Sequence, residues 1–211
     1  MTYLQVQQMQ PDHFKALTRI GQIYLKHKHF NKAQDYLKKA LTINKSSEQT
    51  LVAMGDLLFE TKNIDLAIKY FLQALKFDEN AVFALEGLGK CYYEHKQTDI
   101  AMKYFRKVLA IDSHNATANY SLANCLYLVG TTDEAISLYK LALKLNPSLV
   151  DAWYNLGNAQ CRLEQFVEAE ASYSEAVKQD PKHALAFYNL GNALYMQNKF
   201  QESVGAYTQS I

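Results

Sequence analysis

Proline and glycine are scarce in this 211-residue chain, at 3 and 8, and neither clusters, so there is no flexible linker and no composition break at which to divide it. It reads as one continuous helical object. Cysteine is scarce too: Cys91, Cys125 and Cys161 are odd in number, far apart and without a Cys-x-x-Cys pair. That pattern argues against a disulfide framework and against a zinc site. Free thiols at helical positions suit a reducing compartment, so an intracellular, cytoplasmic setting is expected. Neither sign of charge dominates, with 22 Lys and Arg against 21 Asp and Glu, and a general binder of nucleic acid or anionic lipid is not expected. No apolar run reaches the roughly 18 residues of a membrane span, and Met1 to Asp12 lack a basic run followed by an apolar core. Membrane insertion and a secretion signal are therefore not expected. With 49% hydrophobic and 20% charged residues, the composition is that of a globular chain and excludes disorder and collagen.

What is present is a period. Segments recur every 34 residues without insertion. Five full units run 14–47, 48–81, 82–115, 116–149 and 150–183, and a sixth, 184–211, stops within its second half. Position 8 of the units reads Gly21, Gly55, Gly89, Ala123, Gly157 and Gly191; position 20 reads Ala33, Ala67, Ala101, Ala135, Ala169 and Ser203. All are small. Position 27 reads Ala40, Ala74, Val108, Ala142, Ala176 and Ser210, broken only by Val108. Small residues are required where helices cross closely. Position 24 instead carries large residues, Leu37, Phe71, Phe105, Tyr139, Tyr173 and Tyr207. Positions 4, 7, 8 and 11 make one helical stripe and 20, 24, 27 and 28 another, so each unit is expected to be two antiparallel helices. Pro147 and Pro181 end the second helix of their units.

With Trp153, Leu156, Gly157, Ala169, Tyr173, Ala176 and Pro181, the fifth unit resembles the tetratricopeptide repeat family, Gln160 standing where an aromatic is usual. The resemblance covers residues 14–211 and implies an all-α, right-handed superhelical solenoid of antiparallel helix pairs. Lys45, Glu79 and Ser113 replace proline at position 32 of the first three units, which leaves their turns open. The sixth unit stops before any further helix covers Val204, Tyr207 and Ile211. Residues 1–13 read in two ways: Tyr3, Val6 and Met9 fit the second helix of a preceding repeat, while Gln7 at an apolar position fits an N-terminal cap. The chain is thus expected to be a piece of a longer solenoid, or one completed by a partner or a second copy.

Chemistry is hard to find. His27 and His29 are two residues apart, cannot share a metal from one helix face and read as solvated turn residues. Glu168 and Glu170 read as a solvated face. No phosphate loop or nucleophile elbow is present; the glycines serve repeat contacts or, like Gly87, Gly130 and Gly205, stand alone. No catalytic residue, metal, cofactor or small-molecule substrate is expected.

In stacked helix pairs the first helices line the concave side, and positions 2, 5, 9 and 12 lie off their buried stripe. In the last three units this row reads Tyr120, Asn124, Tyr127; Tyr154, Asn158, Cys161; and Tyr188, Asn192, Tyr195, with Asn155 and Asn189 at position 6. Each Asn amide offers an acceptor and two donors to a peptide backbone, and the tyrosines offer rigid contact area. Two readings stay open. The ladder grips an extended segment of another protein, in which case its loss leaves folding nearly intact, or it is structural, since Tyr-Asn-Leu-Gly-Asn is close to the family average. A similar Asn ladder is associated with O-linked N-acetylglucosamine transferase, which implies an alternative: the substrate-recognition region of a larger transferase. The family's carboxylate clamp is not expected, because position 5 reads Thr18, Val52, Glu86, Tyr120, Tyr154 and Tyr188 and never the required lysine.

Residues 1–115 carry 16 basic and 12 acidic side chains, and residues 116–211 carry 6 and 9. The excess centres on Lys26, Lys28, Lys32, Lys38, Lys39 and Lys45, a solvated face or a contact for an acidic partner. The chain is therefore expected to be a non-catalytic scaffold for protein interaction, binding a segment along repeats four to six. A further alternative is a structural subunit of a large assembly, self-associating or joined through uncapped ends.

Overall fold

The computed structural model describes residues 13–211. Apart from His13, the segment 1–13, expected as a repeat remnant or cap, lies outside the described residues. The chain divides into two compact units, Met1–Ile111 and Asp112–Ile211. In the first, the helices are α1 Phe14–Lys26, α2 Phe30–Ile43, α3 Glu48–Glu60, α4 Ile64–Leu75, α5 Val82–Glu94 and α6 Thr98–Ile111. The second holds α7 Ala116–Val129, α8 Thr132–Leu145, α9 Val150–Arg162, α10 Phe166–Gln179, α11 Ala184–Met196 and α12 Phe200–Gln209. Among the described residues there is no strand, and no helix is long and apolar enough to cross a membrane. Each unit is three helix pairs, and every odd-numbered helix starts at the first position of a repeat.

The small residues lie where the pairs close. Ala33, Ala67, Ala101, Ala135 and Ala169 are fully buried, as are Ala40, Ala74, Val108, Ala142 and Ala176. At position 8 the partner is the large side chain of position 24: a carbon added to Gly157 would fall 2.6 Å from Cε1 of Tyr173, and one added to Gly55 2.6 Å from Cε1 of Phe71. Gly87 does not stand alone, because the Phe71 ring lies directly against it and is held between two glycines. Buried polar groups are paired. Gln160, in place of an aromatic, accepts from Ser172 Oγ at 2.6 Å, and the Thr18 and Thr50 hydroxyls meet at 2.7 Å.

Both kinds of turn repeat, and neither depends on the residues that mark a turn most visibly. Within each pair, position 15 is left-handed: Lys28, Lys62, Lys96, Glu164 and Asn198 have φ of 58° to 62°, and Gly130 has φ 91°. The N–H of position 16 bonds back to the carbonyl of position 11, as His29 does to Tyr24 and Gln165 to Gln160, closing a Schellman cap at all six sites. Five non-glycine residues accept a conformation that costs roughly 1–2 kcal/mol. Between repeats, position 31 is always Asn or Asp. Asn44, Asp78, Asp112, Asn146 and Asp180 each accept the backbone N–H two residues on, at 3.0–3.1 Å. These Asx turns form with or without the following proline, so Lys45, Glu79 and Ser113 leave the turns intact. Pro147 adds an anchor, its carbonyl accepting from Trp153 Nε1 and Gln179 Nε2, both at 2.9 Å.

Two glycines of the second unit give opposite expectations. Gly157→Leu forces the Tyr173 ring from its seat and should cost about 1–3 kcal/mol or more. Gly205, on α12, has open space around it, and Gly205→Ala should stabilise by roughly 0.5–1 kcal/mol through helix propensity. Urea denaturation of both variants checks the pair; equal midpoints would contradict the packing described.

Candidate functional site

The tyrosine and asparagine row falls on α7, α9 and α11 of the second unit, and it is a hydrogen-bonded truss. Asn124 Oδ1 accepts from the Tyr139 hydroxyl of its own repeat at 2.6 Å and from Asn155 Nδ2 of the next at 3.0 Å; Asn155 Nδ2 also donates to the Tyr120 hydroxyl at 3.1 Å. One repeat on, Asn158 Oδ1 accepts from the Tyr173 hydroxyl at 2.7 Å and from Asn189 Nδ2 at 2.9 Å, which also donates to the Tyr154 hydroxyl at 3.2 Å. Asn192 Oδ1 accepts from the Tyr207 hydroxyl at 2.7 Å. The tyrosine rings lean on one another in the same register, Tyr120 on Tyr139, Tyr154 on Tyr173 and Tyr188 on Tyr207, with centroids 5.6–6.1 Å apart.

These contacts correct one expectation about the ladder. Removing the Asn124, Asn158 and Asn192 side chains would strand tyrosine hydroxyls, at about 1–3 kcal/mol for each polar group left without a partner, so folding would not stay nearly intact. Yet the truss uses only the acceptor end of these three amides. Their Nδ2 groups make no hydrogen bond among the described residues, where no buried side-chain nitrogen or oxygen lacks a partner. They are therefore not fully buried, and all three side chains are half-buried. Asn155 and Asn189, in contrast, spend their donors on the truss.

The Tyr120 and Tyr173 hydroxyls stay protonated. Burial pushes the Tyr120 phenol above its usual range although the hydrogen bond from Asn155 and the nearby Asn124 amide favour its ionised form, and burial pushes Tyr173 further, assisted by the Cys161 thiol. Tyr188 and Tyr195 are about half exposed, whereas Tyr120, Tyr127 and Tyr154 are half-buried. Tyr127 has its own partner: the Arg162 guanidinium lies 3.5 Å from the ring centroid and Nη1 donates to the Tyr127 carbonyl at 2.6 Å. Between Tyr127 and Met196 a cleft of about 250 Å³ opens over Cys161, walled by Asn158, Phe166 and Asn192.

Tyr139, Tyr173 and Tyr207 are the site residues that a reading of the first helices alone misses, since they project from the second helices. A signal for them exists in the sequence. Position 24 is Leu or Phe where position 9 is Gln22, Asp56 or Lys90, and becomes Tyr in each repeat where position 9 becomes Asn.

The first unit presents different chemistry on the corresponding positions. Asp56 is exposed at its surface, yet protein packed around it pushes its carboxyl up to about 6; Lys90 opposes the shift, and Glu60 and Glu86 add to it. His27 and His29 are exposed turn residues flanking Lys28, and Lys26, Lys32, Lys38, Lys39 and Lys45 are exposed as well. Lys32 and Lys39 lie over the Tyr24 and Tyr36 rings at 5.4 and 5.6 Å. In the second unit Glu168 is exposed. Glu170 is not a free carboxylate face, because its Oε2 accepts from Lys199 Nζ at 2.6 Å and Gln197 Nε2 at 2.7 Å. Partial burial works against the charge, but those bonds outweigh it and hold the Glu170 carboxyl below its usual range.

Comparison with known proteins places these features in a family. A family model described as tetratricopeptide repeat matches residues 52–116 and 154–211, and a second of the same description matches 14–47. A model for anaphase-promoting complex, cyclosome, subunit 3 matches 94–176. No curated protein sequence matches the chain. Among solved structures, the crystal structure of MamA is 26% identical, with 74% of this chain and 91% of that one covered and a TM-score of 0.68. YrrB, described as a TPR protein with an unusual peptide-binding site, is 24% identical over 83% of this chain and 90% of its own, with a TM-score of 0.67. The hetero-tetramer Cut9-Hcn1 of the APC/C shares the fold at 15% identity, covering 99% of this chain and 41% of that one, with a TM-score of 0.89.

The Asp56 environment has a consequence for pH. With the folded value raised from 3.8 to about 6, the folded chain holds the proton more tightly than the unfolded one, so this group's contribution to stability falls as pH rises from about 4 to 6. Asp56→Asn removes that titration. Thermal melts of the variant should rise relative to wild type at pH 7 and converge with it near pH 4; parallel curves would show that Asp56 titrates normally.

Proposed function

The chain belongs to the tetratricopeptide repeat family, and from that premise we propose that it is a non-catalytic protein-interaction scaffold whose second unit holds an extended segment of a partner protein. The observation that carries this reading is the row of three amides, Asn124, Asn158 and Asn192. Each is fixed at its oxygen by a tyrosine hydroxyl and left open at its nitrogen. Fixed donors with no internal acceptor suit the carbonyl groups of a bound backbone, and they ask nothing of its side chains. Preorganisation by the truss lowers the entropic cost of binding.

Spacing narrows the conformation. Packed helices lie about 8–10 Å apart, and a polyproline II segment repeats every three residues with a rise of 3.1 Å each, roughly 9 Å per turn. Every third carbonyl then faces the same side. A flat β-strand, alternating direction with each residue, matches this less well. The peptide-binding site named for YrrB lies on the same repeat fold and supports the reading.

Asn→Asp tests it without dismantling the truss. The carboxylate keeps an acceptor for the tyrosine hydroxyl and for the next repeat's Asn, but replaces the donors with oxygen. Wild-type chain panned against phage-displayed random dodecapeptides should enrich binders, and the triple variant Asn124→Asp, Asn158→Asp, Asn192→Asp should keep its helical melt while binding them about tenfold or more weakly. Equal affinity would dismiss the groove as the binding site.

A second reading is a structural subunit joined to others, with the exposed Val204 of α12 at the contact. The match to a subunit of the anaphase-promoting complex over residues 94–176 supports it. On this reading the mass by light scattering should grow with concentration, and Val204→Glu should stop the growth. A steady mass of the 24.1 kDa monomer would set self-joining aside.

A further inference from the structure

The groove holds one gap in an otherwise bulky row. Position 12 of the six repeats reads Leu25, Phe59, Tyr93, Tyr127, Cys161 and Tyr195, so five large side chains are interrupted by a thiol. Directly over that thiol lies the cleft of about 250 Å³ between Tyr127 and Met196. Its floor is partly exposed: Cys161 is half-buried, unlike Cys91 and Cys125, and its Sγ takes a long 3.7 Å hydrogen bond from the Tyr173 hydroxyl. Its walls are mainly carbon from Tyr127, Phe166 and Met196, and the Asn158 and Asn192 amides flank it. A volume of about 250 Å³ exceeds the roughly 150 Å³ apolar cavity that accepts benzene. It falls short of the ~300–1,000 Å³ of small-molecule sites. It is the size for one side chain.

A neighbour of the cleft supplies a sign of charge. Arg162, next in the chain to Cys161, is exposed, stacks on the Tyr127 ring and donates once to a backbone carbonyl. No carboxylate pairs with it among the described residues. The guanidinium therefore has donors to spare beside an apolar cleft.

We propose that the Cys161 cleft is the specificity pocket of the groove, admitting one aliphatic or thioether side chain of the bound segment, with an acidic residue of that segment next to it on Arg162. This rests on the groove reading above: Asn158 and Asn192 hold the backbone on either side, and the cleft selects what lies between. The partner is then a protein segment with a Leu-, Ile- or Met-sized residue adjoining Asp or Glu. Selection arises because Cys161 leaves out the ring present at the same position one repeat before and one repeat after. Tyrosine at that position is compatible with the repeat, as Tyr127 and Tyr195 show.

The test uses the full chain and the same dodecapeptide phage library, followed by fluorescence polarisation with synthetic copies of the enriched peptides. Wild-type chain should enrich peptides sharing one aliphatic residue beside an acidic one. Cys161→Tyr should fill the cleft, weaken those peptides about tenfold or more and erase the aliphatic preference, whereas Cys161→Ala keeps both. Arg162→Gln should erase only the acidic preference. Binders lost with the triple Asn→Asp variant but bound by Cys161→Tyr with unchanged preference would overturn the pocket and leave the groove reading standing. An acidic preference that survives Arg162→Gln would overturn the charged half. Binders indifferent to the Asn→Asp variant, or no binders from wild type, would overturn the groove reading and the pocket with it. Circular dichroism melts of each variant separate loss of binding from loss of fold.

Discussion

The contact on which the rest of this architecture depends is the one between position 8 and position 24 of each repeat. A small residue on the first helix lets the large residue of the second lie flat against backbone, so close that one added carbon would reach 2.6 Å from the ring in the Gly55–Phe71, Gly157–Tyr173 and Gly191–Tyr207 pairs. This closeness fixes where the far end of the ring arrives: at position 9, one residue along the first helix. With Phe71 or Phe105 the ring ends in carbon and nothing follows. With Tyr139, Tyr173 and Tyr207 it ends in a hydroxyl, and that hydroxyl seizes the oxygen of Asn124, Asn158 and Asn192. One oxygen atom added to a packing residue thus turns a core contact into the fixed backing of a row of donors. Stability and binding draw on the same atoms here, so the two readings of the ladder are not exclusive: the acceptor half of each amide is structural and the donor half faces out.

Most of the fold is legible from spacing alone, because a 34-residue period with small residues at three fixed positions admits few packings. Helix starts at Phe14, Glu48, Val82, Ala116, Val150 and Ala184 coincide with the first positions of the six units. The turns were harder to read for a physical reason. Proline and glycine are the usual cues, but here the work is done by Asn or Asp at position 31 and by lysine, glutamate and asparagine held at positive φ at position 15. Tertiary packing of the two helices holds those backbones where local preference would not, so no single residue announces them. Gly87 shows the same limit. Its neighbour Phe71 belongs to the preceding repeat and already fills position 24 there, so the glycine looks unexplained until the ring is seen to have two faces.

The site was half legible, for a related cause. Tyr120, Asn124, Asn158 and Asn192 stand out because they repeat on one helix face. The tyrosines that orient them are on a different helix, fifteen residues away, and look like ordinary core. Only comparison between repeats of the chain itself exposes the pairing, since Tyr at position 24 accompanies Asn at position 9 and Phe or Leu does not. The cleft over Cys161 escapes for the opposite reason, being marked by something missing from a row.

The two units differ in what such a row can do. In the second, a neutral amide held by a phenol binds without a net charge to desolvate, so its donors keep their strength at any pH at which the phenols stay protonated. Burial holds Tyr120 and Tyr173 in that state. In the first, Gln22, Asp56 and Lys90 take the same position with no hydroxyl behind them, and crowding raises Asp56 to about 6. A carboxyl that titrates so near neutrality cannot serve as a constant acceptor, and its state follows the neighbouring Lys90, Glu60 and Glu86. Ligand contacts through the second unit are therefore expected to be indifferent to pH, and any through the first unit to depend on it. The physical difference traces to a paired change, Leu or Phe giving way to Tyr at the close contact between paired helices while Gln, Asp or Lys gives way to Asn at position 9.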